Sequence, residues 1–504
     1  MRHPIETHLA DLGDISRLSD ALTAEYLEEH QLLPIARTNG SVVVAHGRPP
    51  DPQAIAELAR LFEAQIQLVQ VPEDELLAGV RRVYGGDGAT AAEFIATYEL
   101  ETLAISDDEV VGHDLEGLAN QPPVIRLVNL LLAEAVEVEA SDVHVEAEGP
   151  ALRVRYRIDG VLQEAPSPPS QLRAAIVSRL KIMAELDIAE RRMPQDGRVR
   201  LRVGERKLNV RVSTLPTLHG ESVVLRLLDA QKQRLRLDDL GLGDDAMEVV
   251  LHLAGRPQGV LLSTGPTGSG KTTTLYALLD RIQTGREKIV SVEDPVEYEF
   301  PGVAQVPVRA KGGLTFAKAL RSILRQDPDV LLVGEMRDSE TAEICIQAAL
   351  TGHLVLSTLH TNDAPSALTR LLDLGVPDYL VTSTVEAVLA QRLVRKPCGD
   401  CAQPHPVDVA ALREMEADGC DVREERRGKG CPACRGTGYR GRTGIYELLL
   451  IDDEIRAEVM RRQGSGTIRR LAVAKGMRPL RMDGWRQVAA GLTTASEVLR
   501  VTAA

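Results

Sequence analysis

The sequence contains one stretch whose residue types and spacing suit the binding of a phosphate chain. The pattern Gly265-x-x-x-x-Gly270-Lys271-Thr272 follows an apolar run at residues 260–262 and precedes a helical pattern that continues to residue 281. Glycines allow backbone N–H groups to curl around an anion, a lysine reaches the outer phosphates, and a threonine hydroxyl can hold Mg²⁺. This context predicts a nucleoside triphosphate site rather than a glycine-rich turn that binds nothing. The predicted cradle comprises Gly265, Pro266, Thr267, Gly268, Ser269, Gly270, Lys271, Thr272 and Thr273.

Carboxylates follow two further apolar runs of the same region. Glu293 and Glu297 come after residues 289–292, and Glu335 comes after residues 330–333. In open parallel sheets that carry a phosphate-binding loop, Mg²⁺ and the attacking water lie at the carboxyl ends of the strands. The bland alternative is a solvated strand end. Because the loop lies upstream, the sequence favours a metal or water role for Glu335.

The segment 351–362 is predicted to form a third strand with a histidine at each end. These histidines are His353 and His360. A lone histidine is usually a satisfied core or surface residue, but two beside a nucleotide site are candidate sensors of the γ-phosphate.

Four of the six cysteines form two Cys-x-x-Cys pairs, Cys398 with Cys401 and Cys431 with Cys434. Each pair presents two thiolates on a tight turn, and two such turns can close a tetrahedral zinc site. A redox pair or unliganded surface cysteines would not explain two paired turns. Since four thiolates fill the coordination shell, the predicted zinc is structural rather than catalytic.

The region before the nucleotide site alternates in the manner of half-buried strands. Asp159-Gly160 signals a hairpin turn within it. The expected elements are a helix at 124–136, strands at 142–146, 151–158, 201–203 and around 208–212, and a helix at 171–186. Among its many arginines, Arg198, Arg211 and Arg226 lie in or beside turn signals and are best placed to reach a ligand.

The chain is too long for one hydrophobic core, and about three domains are expected. The first module shows strand patterns at 41–45 and 66–71, helical patterns at 52–62 and 73–84, and no catalytic constellation, so it is interpreted as a docking domain. The predicted organisation is a docking domain (1–90), a flexible acidic linker (91–121), a second domain (122–230), a linker (231–240) and a nucleotide domain (241–504) that includes a cysteine subdomain (396–443).

The composition excludes some classes of protein. The chain has 504 residues, a formal net charge of −14, and 44% hydrophobic residues. An acidic surface does not suit non-specific nucleic-acid binding, so no nucleic-acid partner is expected. There is no signal region and no apolar run of the ~20 residues that span a bilayer. We therefore expect a cytoplasmic protein, peripheral to a membrane at most.

Together these motifs closely resemble the secretion ATPases that drive type II secretion and type IV pilus assembly. The resemblance runs from about residue 123 to the C-terminus, and its many motifs occur in one order. Before the nucleotide site they are ASDVHVE (140–146), RYRIDG (155–160), LDIAERR (186–192), PQDGR (194–198) and RVST (211–214). After it they are EDPVE (293–297), LRQDPD (324–329), GEMRD (334–338) and TGHLVLSTLHTN (351–362).

The resemblance implies an α/β architecture in which a RecA-like P-loop ATPase domain follows a PAS-like α+β domain, with six copies in a ring and ATP between the two domains. By position, Lys271 would hold phosphate, and Thr272 and Glu335 would hold Mg²⁺. Glu297 or Glu293 would polarise the attacking water. His353 and His360 would report the γ-phosphate. The arginines Arg198, Arg211 and Arg226 would neutralise charge.

The function implied is an ATPase motor of type II secretion at the cytoplasmic face of the inner membrane, with ATP, Mg²⁺ and Zn²⁺ as cofactors. The N-terminal domain would bind the cytoplasmic domain of an inner-membrane platform protein, and basic runs at 423–442 and 461–481 could contact anionic phospholipid, although a solvated face is the alternative. The rival functions are a pilus-assembly or competence-pilus motor and, from another class, a nucleic-acid translocase. The acidic charge and the lack of aromatic–basic stripes disfavour the translocase.

Overall fold

The computed structural model describes residues 18–19, 22, 24–38, 40–62, 64–83, 90–97, 115–149, 151–203, 206–229, 235–309 and 312–503. The acidic run at 106–109 in the predicted first linker and residues 231–234 of the predicted second linker lie outside the described residues. Within the described ranges, no helix has the length and apolar character needed to span a bilayer.

The N-terminal domain is a three-stranded sheet, in the order β1-β2-β3, packed against helices. β1 and β2 are antiparallel, while β2 and β3 are parallel and joined through α2. Its elements are α1 (Ala24–His30), β1 (Leu32–Thr38), β2 (Ser41–His46), α2 (Pro52–Phe62), β3 (Gln65–Gln70) and α3 (Glu73–Val83). The strands and helices predicted here are confirmed. β1 escaped prediction because Pro34, beside an irregularity in its register, interrupts the strand pattern.

Two short helices belong to the second domain, although the sequence places both in a linker. α4 (Ala91–Thr97) packs Ala91, Phe94 and Ile95 on the second-domain core, and the guanidinium of Arg126 lies 5.3 Å from the centre of the Phe94 ring. α5 (Leu115–Ala119) contributes Leu118 to the same core. The predicted linker at 91–121 is therefore wrong at both ends, because apolar residues there bury against the neighbouring domain.

The second domain is a six-stranded antiparallel sheet in the order β6-β5-β4-β9-β8-β7. Its elements are α6 (Pro122–Glu137), β4 (Asp142–Glu148), β5 (Ala151–Ile158), β6 (Val161–Glu164), α7 (Arg173–Met183), β7 (Gln195–Val203), β8 (Arg206–Thr217) and β9 (Gly220–Asp229). Asp159 and Gly160, with φ of 49° and 85°, form the predicted hairpin turn between β5 and β6. Residues directly opposite each other on neighbouring strands point to the same face of a sheet, so side chains from five strands can form one row across this sheet.

The nucleotide domain is built on a seven-stranded sheet in the order β12-β11-β13-β14-β10-β15-β18, parallel except for β18. Its first elements are α8 (Asp244–Ala254), β10 (Gly259–Thr264), α9 (Lys271–Ile282), β11 (Ile289–Glu293), β12 (Val303–Pro307), α10 (Phe316–Ile323), β13 (Val330–Val333), α11 (Ser339–Leu350), β14 (Leu354–Leu359), α12 (Ala364–Asp373) and α13 (Asp378–Thr384). The apolar runs predicted as strands are confirmed. Their parallel arrangement brings the ends of β10, β11, β13 and β14 to one edge.

The C-terminal part wraps the far side of this sheet. Its elements are β15 (Val385–Pro397), β16 (Ala402–Pro406), α14 (Val409–Ala417), β17 (Glu424–Gly428), β18 (Tyr439–Leu450), α15 (Asp453–Met460), α16 (Ser465–Ala474), α17 (Leu480–Ala489) and α18 (Ala495–Thr502). The long strands β15 and β18 pair with each other, and the cysteine module, residues 398–438, is the insertion between them.

Polar contacts join the second domain to Arg435 in the cysteine module, and to Gly441 and Arg442 in the segment that follows it. The Asp159 carboxylate at the β5–β6 turn accepts a hydrogen bond from the backbone N–H of Gly441 at 2.7 Å and lies 3.4 Å from Arg442 Nε. Arg435 lies 3.5 Å from the Glu134 carboxylate on α6. These contacts hold the arginine-bearing sheet over the phosphate-binding loop.

Candidate active site and metal centre

The phosphate-binding loop lies between the end of β10 and the start of α9. Gly268 and Gly270 have φ of 80° and 90°, a region that favours glycine. A Cβ at Gly270 would lie 2.9 Å from Gln391 Nε2, so the loop also needs glycine for space. Lys271 is buried, and its Nζ donates to the carbonyls of Gly265 at 2.8 Å and Pro266 at 3.0 Å. The loop therefore holds the Lys271 ammonium group beside the N-terminus of α9, where anions are stabilised.

The charge state of Lys271 depends on its surroundings. Burial, aided by the charge of Arg392, lowers its pKa to about 8, while Glu335 and Glu297 oppose the shift. At neutral pH the group is still mainly protonated, and a bound polyphosphate would favour that charged form further. Lys271 is thus suited to pair with phosphate.

Gln391 on β15 supports the loop from beneath, a role that the sequence analysis did not predict. Its side chain is buried, donates to the Ser269 carbonyl at 2.7 Å, and accepts from Ser263 Oγ at 3.2 Å. The available signal was a polar residue in the apolar part of a long strand. Its loop partner is distant in sequence, so only the fold reveals the contact.

Glu335 and His360 meet at the edge of the sheet because β13 and β14 are parallel neighbours. The Glu335 carboxylate contacts His360 Nε2 at 3.2 Å and Arg337 Nη2 at 2.6 Å. Both residues line the same cavity as the phosphate-binding loop. A carboxylate here is placed to bind a cation beside bound phosphates.

The two glutamates after β11 occupy different environments. Glu293 is buried and both of its carboxylate oxygens accept hydrogen bonds: Tyr276 Oη donates to one, and Ser291 Oγ at 2.6 Å and Gln305 Nε2 at 3.3 Å donate to the other. Glu297 instead is exposed and lines the cleft together with Thr272. Both residues line the cavity, but Glu293 is buried with both carboxylate oxygens hydrogen-bonded, whereas Glu297 is exposed.

The Glu297 carboxylate has a raised pKa although solvent reaches it. Desolvation by the cleft walls is the main cause and the charge of Glu293 adds to it, whereas Arg211, Thr272 and Arg226 oppose the shift. A carboxylate with a raised pKa is a better proton acceptor than an ordinary one.

The second domain contributes arginines from neighbouring strands. Arg198, Arg211 and Arg226 are direct cross-strand partners on β7, β8 and β9. Burial and the charges of Arg198 and Arg226 lower the pKa of Arg211. Arg211 and Arg226 line the cavity, while Arg198 is exposed and lies outside that lining. Neighbouring cations of this kind favour the arrival of an anion.

One cavity of about 460 Å³ collects these groups between the two domains. It is bounded by the loop, the carboxyl ends of the strands and the arginines of the second domain. A second cavity of about 670 Å³ shares residues 267–269 of the loop with the first, and Arg157, Arg392 and Arg442 contribute to its walls. The site is thus formed by both domains together.

His353 does not reach this cleft. Leu354, the residue after it, pairs with Gly259 at the beginning of β10, which is the end remote from the loop. His353 Nδ1 lies 2.8 Å from the Ala348 carbonyl. β14 has six residues and so spans about 17–20 Å. The prediction that His353 reports the γ-phosphate of its own chain is wrong, because the two histidines lie at opposite ends of one strand.

The four paired cysteines form a compact cluster with their ligand atoms all within 4.8 Å. Sγ–Sγ distances are 3.8 Å for Cys398–Cys431, 3.9 Å for Cys401–Cys434 and 3.7 Å for Cys431–Cys434. A tetrahedron of thiolates about 2.3 Å from zinc places its sulfurs about 3.8 Å apart, so the cluster has the size of a zinc site. Burial raises the pKa of the Cys398 and Cys401 thiols, whereas for Cys434 the backbone N–H donors of Cys431 and Gly438 outweigh burial and lower the pKa.

Comparison with known proteins matches two families to this chain. The family model described as "Type II/IV secretion system protein" matches residues 117–500, and the MshEN domain matches residues 4–90. The sheets of the second and nucleotide domains and the cysteine module all lie within the first match.

Named relatives match at similar length. Type II secretion system protein HxcR of Pseudomonas aeruginosa is 49% identical over 92% of this chain and 95% of its own length. Type II secretion system protein E of Pectobacterium carotovorum is 45% identical over 97% of this chain and 98% of its own length. Type II secretion system ATPase E of Vibrio cholerae is 42% identical over 90% of this chain and 91% of its own length.

Solved structures share the fold at lower identity. The ATPase DotB of Legionella pneumophila aligns with a TM-score of 0.53 and 19% identity over 74% of this chain and 95% of its own. DotB of Yersinia pseudotuberculosis aligns with a TM-score of 0.54 and 20% identity over 75% and 93%. The sequence-based resemblance is confirmed: the chain belongs to the type II/IV secretion system protein family and is an ATPase of type II secretion.

Proposed function

We propose that ATP is hydrolysed in the cleft between the second domain and the nucleotide domain, and that this hydrolysis powers pseudopilus assembly and protein export at the cytoplasmic face of the inner membrane. The observation that carries the proposal is the single cavity that joins Lys271 and Glu335 to Arg211 and Arg226. Phosphoryl transfer depends mainly on positioning and charge stabilisation, and both are provided here. The names of the relatives do not favour the alternative of a pilus-assembly motor.

Each group of the cleft has a role in this proposal. Lys271 and the backbone of residues 265–270 bind the outer phosphates, and Thr272 and Glu335 hold Mg²⁺, which when bound neutralises phosphate charge. Arg211 and Arg226 stabilise the charge that develops on the transferred phosphoryl group. His360, in contact with Glu335, senses whether a γ-phosphate is present.

Glu297 is the residue that we assign to orienting and deprotonating the attacking water. It faces the cleft and has a raised pKa, whereas all the oxygens of Glu293 serve internal hydrogen bonds. In this proposal Glu293 holds Tyr276 and the β11 end in place and does not touch substrate. The two glutamates, left as alternatives by the sequence, are thereby separated.

Isosteric substitutions distinguish the two glutamates. Glu297→Gln removes the proton acceptor and is expected to reduce the turnover number by ~10²-fold or more, with little change in ATP affinity. Glu293→Gln keeps an acceptor for Tyr276 but buries an extra donor, so it should lower thermal stability and reduce turnover less. Phosphate release and melting temperature are measured on both variants. Equal turnover losses, or a larger loss for Glu293→Gln, would contradict the assignment.

The working assembly in this proposal is a homo-hexamer in which each nucleotide domain is RecA-like and each second domain PAS-like. In the nucleotide domain, β14 lies between β10, which precedes the phosphate-binding loop, and β13, which precedes Glu335, and this strand order supports the RecA-like assignment. The second domain has a single antiparallel sheet, which supports the PAS-like assignment. Arg198 is exposed on the edge strand β7, where it can approach an anion held by a neighbouring subunit.

We propose that the four clustered cysteines hold a structural zinc ion. We propose no phospholipid-binding role for the two basic runs, residues 423–442 and 461–481. Most arginines of the two basic runs are paired with carboxylates, as in Arg427 with Asp408 and Arg462 with Asp378. Paired surface arginines supply little attraction to an anionic membrane. The structure therefore favours a solvated face for these runs.

The N-terminal domain is proposed to dock the motor on the cytoplasmic domain of a membrane platform protein, which places the chain at the inner membrane as a peripheral protein. Its own core, including Leu33, Val42 and Leu58, is separate from that of the ATPase domains. Its match to an MshEN domain marks it as an independent module. Its contribution can therefore be removed without opening the cleft.

A truncation tests this division of labour. A chain that starts at residue 90, which retains α4 on the second-domain core, is expected to keep basal ATP hydrolysis within about twofold, because no cleft residue is lost. The same truncation should release the motor from membranes in cell fractionation. If the shortened protein stays fully membrane-associated, the docking role is wrong.

A further inference from the structure

Asp142 occupies a distinctive position on the arginine-bearing face of the second domain. It is the first residue of β4, and it lies directly across from Arg226 on β9 and Arg157 on β5. Cross-strand pairing therefore continues the row Arg198–Arg211–Arg226 into Asp142 and Arg157. This row of direct neighbours contains four arginines and a single carboxylate.

The Asp142 carboxylate is buried and well fixed. Its Oδ1 accepts a hydrogen bond from Arg226 Nε at 2.9 Å, and its Oδ2 accepts one from Ser141 Oγ at 2.8 Å. Arg157 Nε lies 3.6 Å from the same Oδ2. The carboxylate has therefore little freedom to turn.

The geometry of the Asp142–Arg226 pair leaves part of the arginine available. Since Asp142 binds the inner nitrogen, Nε, it does not use the two terminal nitrogens of the guanidinium. A guanidinium held at Nε can still present those two N–H groups as a fork to phosphate oxygens. The Arg226 side chain is 54% exposed and lines both cavities beside the phosphate-binding loop.

We propose that Asp142 is a positioning residue that aims Arg226 at the phosphates of the bound nucleotide. The inference rests on the proposed function, in which Arg226 stabilises the transferred phosphoryl group. Without the carboxylate, the arginines on neighbouring strands repel Arg226. The long, flexible Arg226 side chain then has no fixed position in the cleft. A displaced catalytic group of this kind costs ~10²-fold in rate.

The test is a double-mutant cycle on the purified full-length chain, with phosphate release measured over a range of ATP concentrations. Asp142→Asn is expected to reduce kcat by ~10²-fold with a smaller change in KM, because the lost interaction acts in the transition state. In an Arg226→Ala background, the same substitution should change kcat less than about twofold, since its target is gone.

Glu146→Gln is the matched control. Glu146 lies on the same strand and the same face, and it accepts a hydrogen bond from Arg155 Nε at 2.8 Å, but neither residue lines the cleft. Removal of this ion pair should leave kcat unchanged. If Glu146→Gln slows turnover as much as Asp142→Asn, the loss of turnover results from a general disturbance of the sheet, and the inference is wrong.

The remaining outcomes separate the inference from the function on which it rests. Wild-type turnover in Arg226→Ala would overturn the role of Arg226 itself. Slow turnover in Arg226→Ala with normal turnover in Asp142→Asn would overturn only the positioning role of Asp142. The same conclusion would follow if Asp142→Asn reduced kcat equally in the wild-type and Arg226→Ala backgrounds. If Asp142→Asn does not fold, Ser141→Ala is the alternative test, because it removes one restraint on the Asp142 carboxylate. The inference then requires a several-fold loss of kcat in the chain that retains Arg226 and no such loss in the Arg226→Ala background.

Discussion

Replacement of Lys271 by alanine is expected to remove ATP hydrolysis, with a loss of turnover of ~10³-fold or more, and to weaken ATP binding. The ammonium group is buried within the loop and bonded to two loop carbonyls, and among the described residues no other lysine lines the cleft. Charge-assisted hydrogen bonds to phosphate are among the strongest in proteins. Phosphate release and titration with a fluorescent ATP analogue measure the two effects.

Lys318→Ala provides the control for Lys271→Ala. Lys318 is an exposed lysine on α10 of the same domain and lies outside the cavity, so its loss changes net charge by the same amount. Its turnover should equal that of the wild type. Normal ATP binding and hydrolysis by Lys271→Ala would show that the cleft is not the nucleotide site.

The second large effect concerns the cysteine cluster. Cys431→Ser removes one of four thiolates and is expected to release the metal, which contributes ~10 kcal/mol or more to folding in small structural zinc sites. Residues 398–438 should then lose protection in hydrogen exchange. The phosphate-binding loop has its own buried core around β10 and α9, so ATP affinity should stay within about twofold of the wild type.

Elemental analysis and hydrogen exchange test this expectation together. Protein purified without chelator should contain about one zinc per chain, and Cys431→Ser should contain none. Cys420→Ser is the control, since Cys420 is a half-buried loop cysteine outside the cluster. Wild-type protein without metal, with all four thiols freely reactive, would contradict the assignment.

Loss of this module should also loosen the contact between domains. Arg435, which follows Cys434 directly, is paired with Glu134, and Gly441 donates to Asp159 on the second domain. The Gly438 carbonyl accepts from the Cys398 N–H at 2.9 Å, so the segment is tied to the first cysteine pair. Exchange protection at the β5–β6 turn should therefore fall in Cys431→Ser as well.

The parts of the site that sequence analysis predicted share a local signal. The glycines and Lys271 stand in one loop, and an acid after an apolar strand marks Glu335. Paired cysteines predict a four-cysteine cluster because each pair already sets the spacing of two potential ligands. For these residues, short-range spacing was sufficient to predict which side chains lie together in the structure.

The parts that it missed depend on strand direction, register or distant partners. His353 and His360 look equivalent in sequence, and only the direction of β14 separates them. Whether Arg198 or Arg226 enters the cleft depends on strand order in an antiparallel sheet. The contact of Gln391 with the loop joins residues more than one hundred positions apart. Such pairings arise from tertiary packing, which a local pattern does not contain.

Export measured in cells tests the central claim most directly, namely that ATP hydrolysis in this cleft powers type II secretion. A strain without this chain is complemented with either the wild type or Lys271→Ala at equal expression, and the exported protein in the medium is quantified. The account predicts that the wild type restores export and that Lys271→Ala restores none, although its folded protein is present at the membrane. Full export with Lys271→Ala would contradict it.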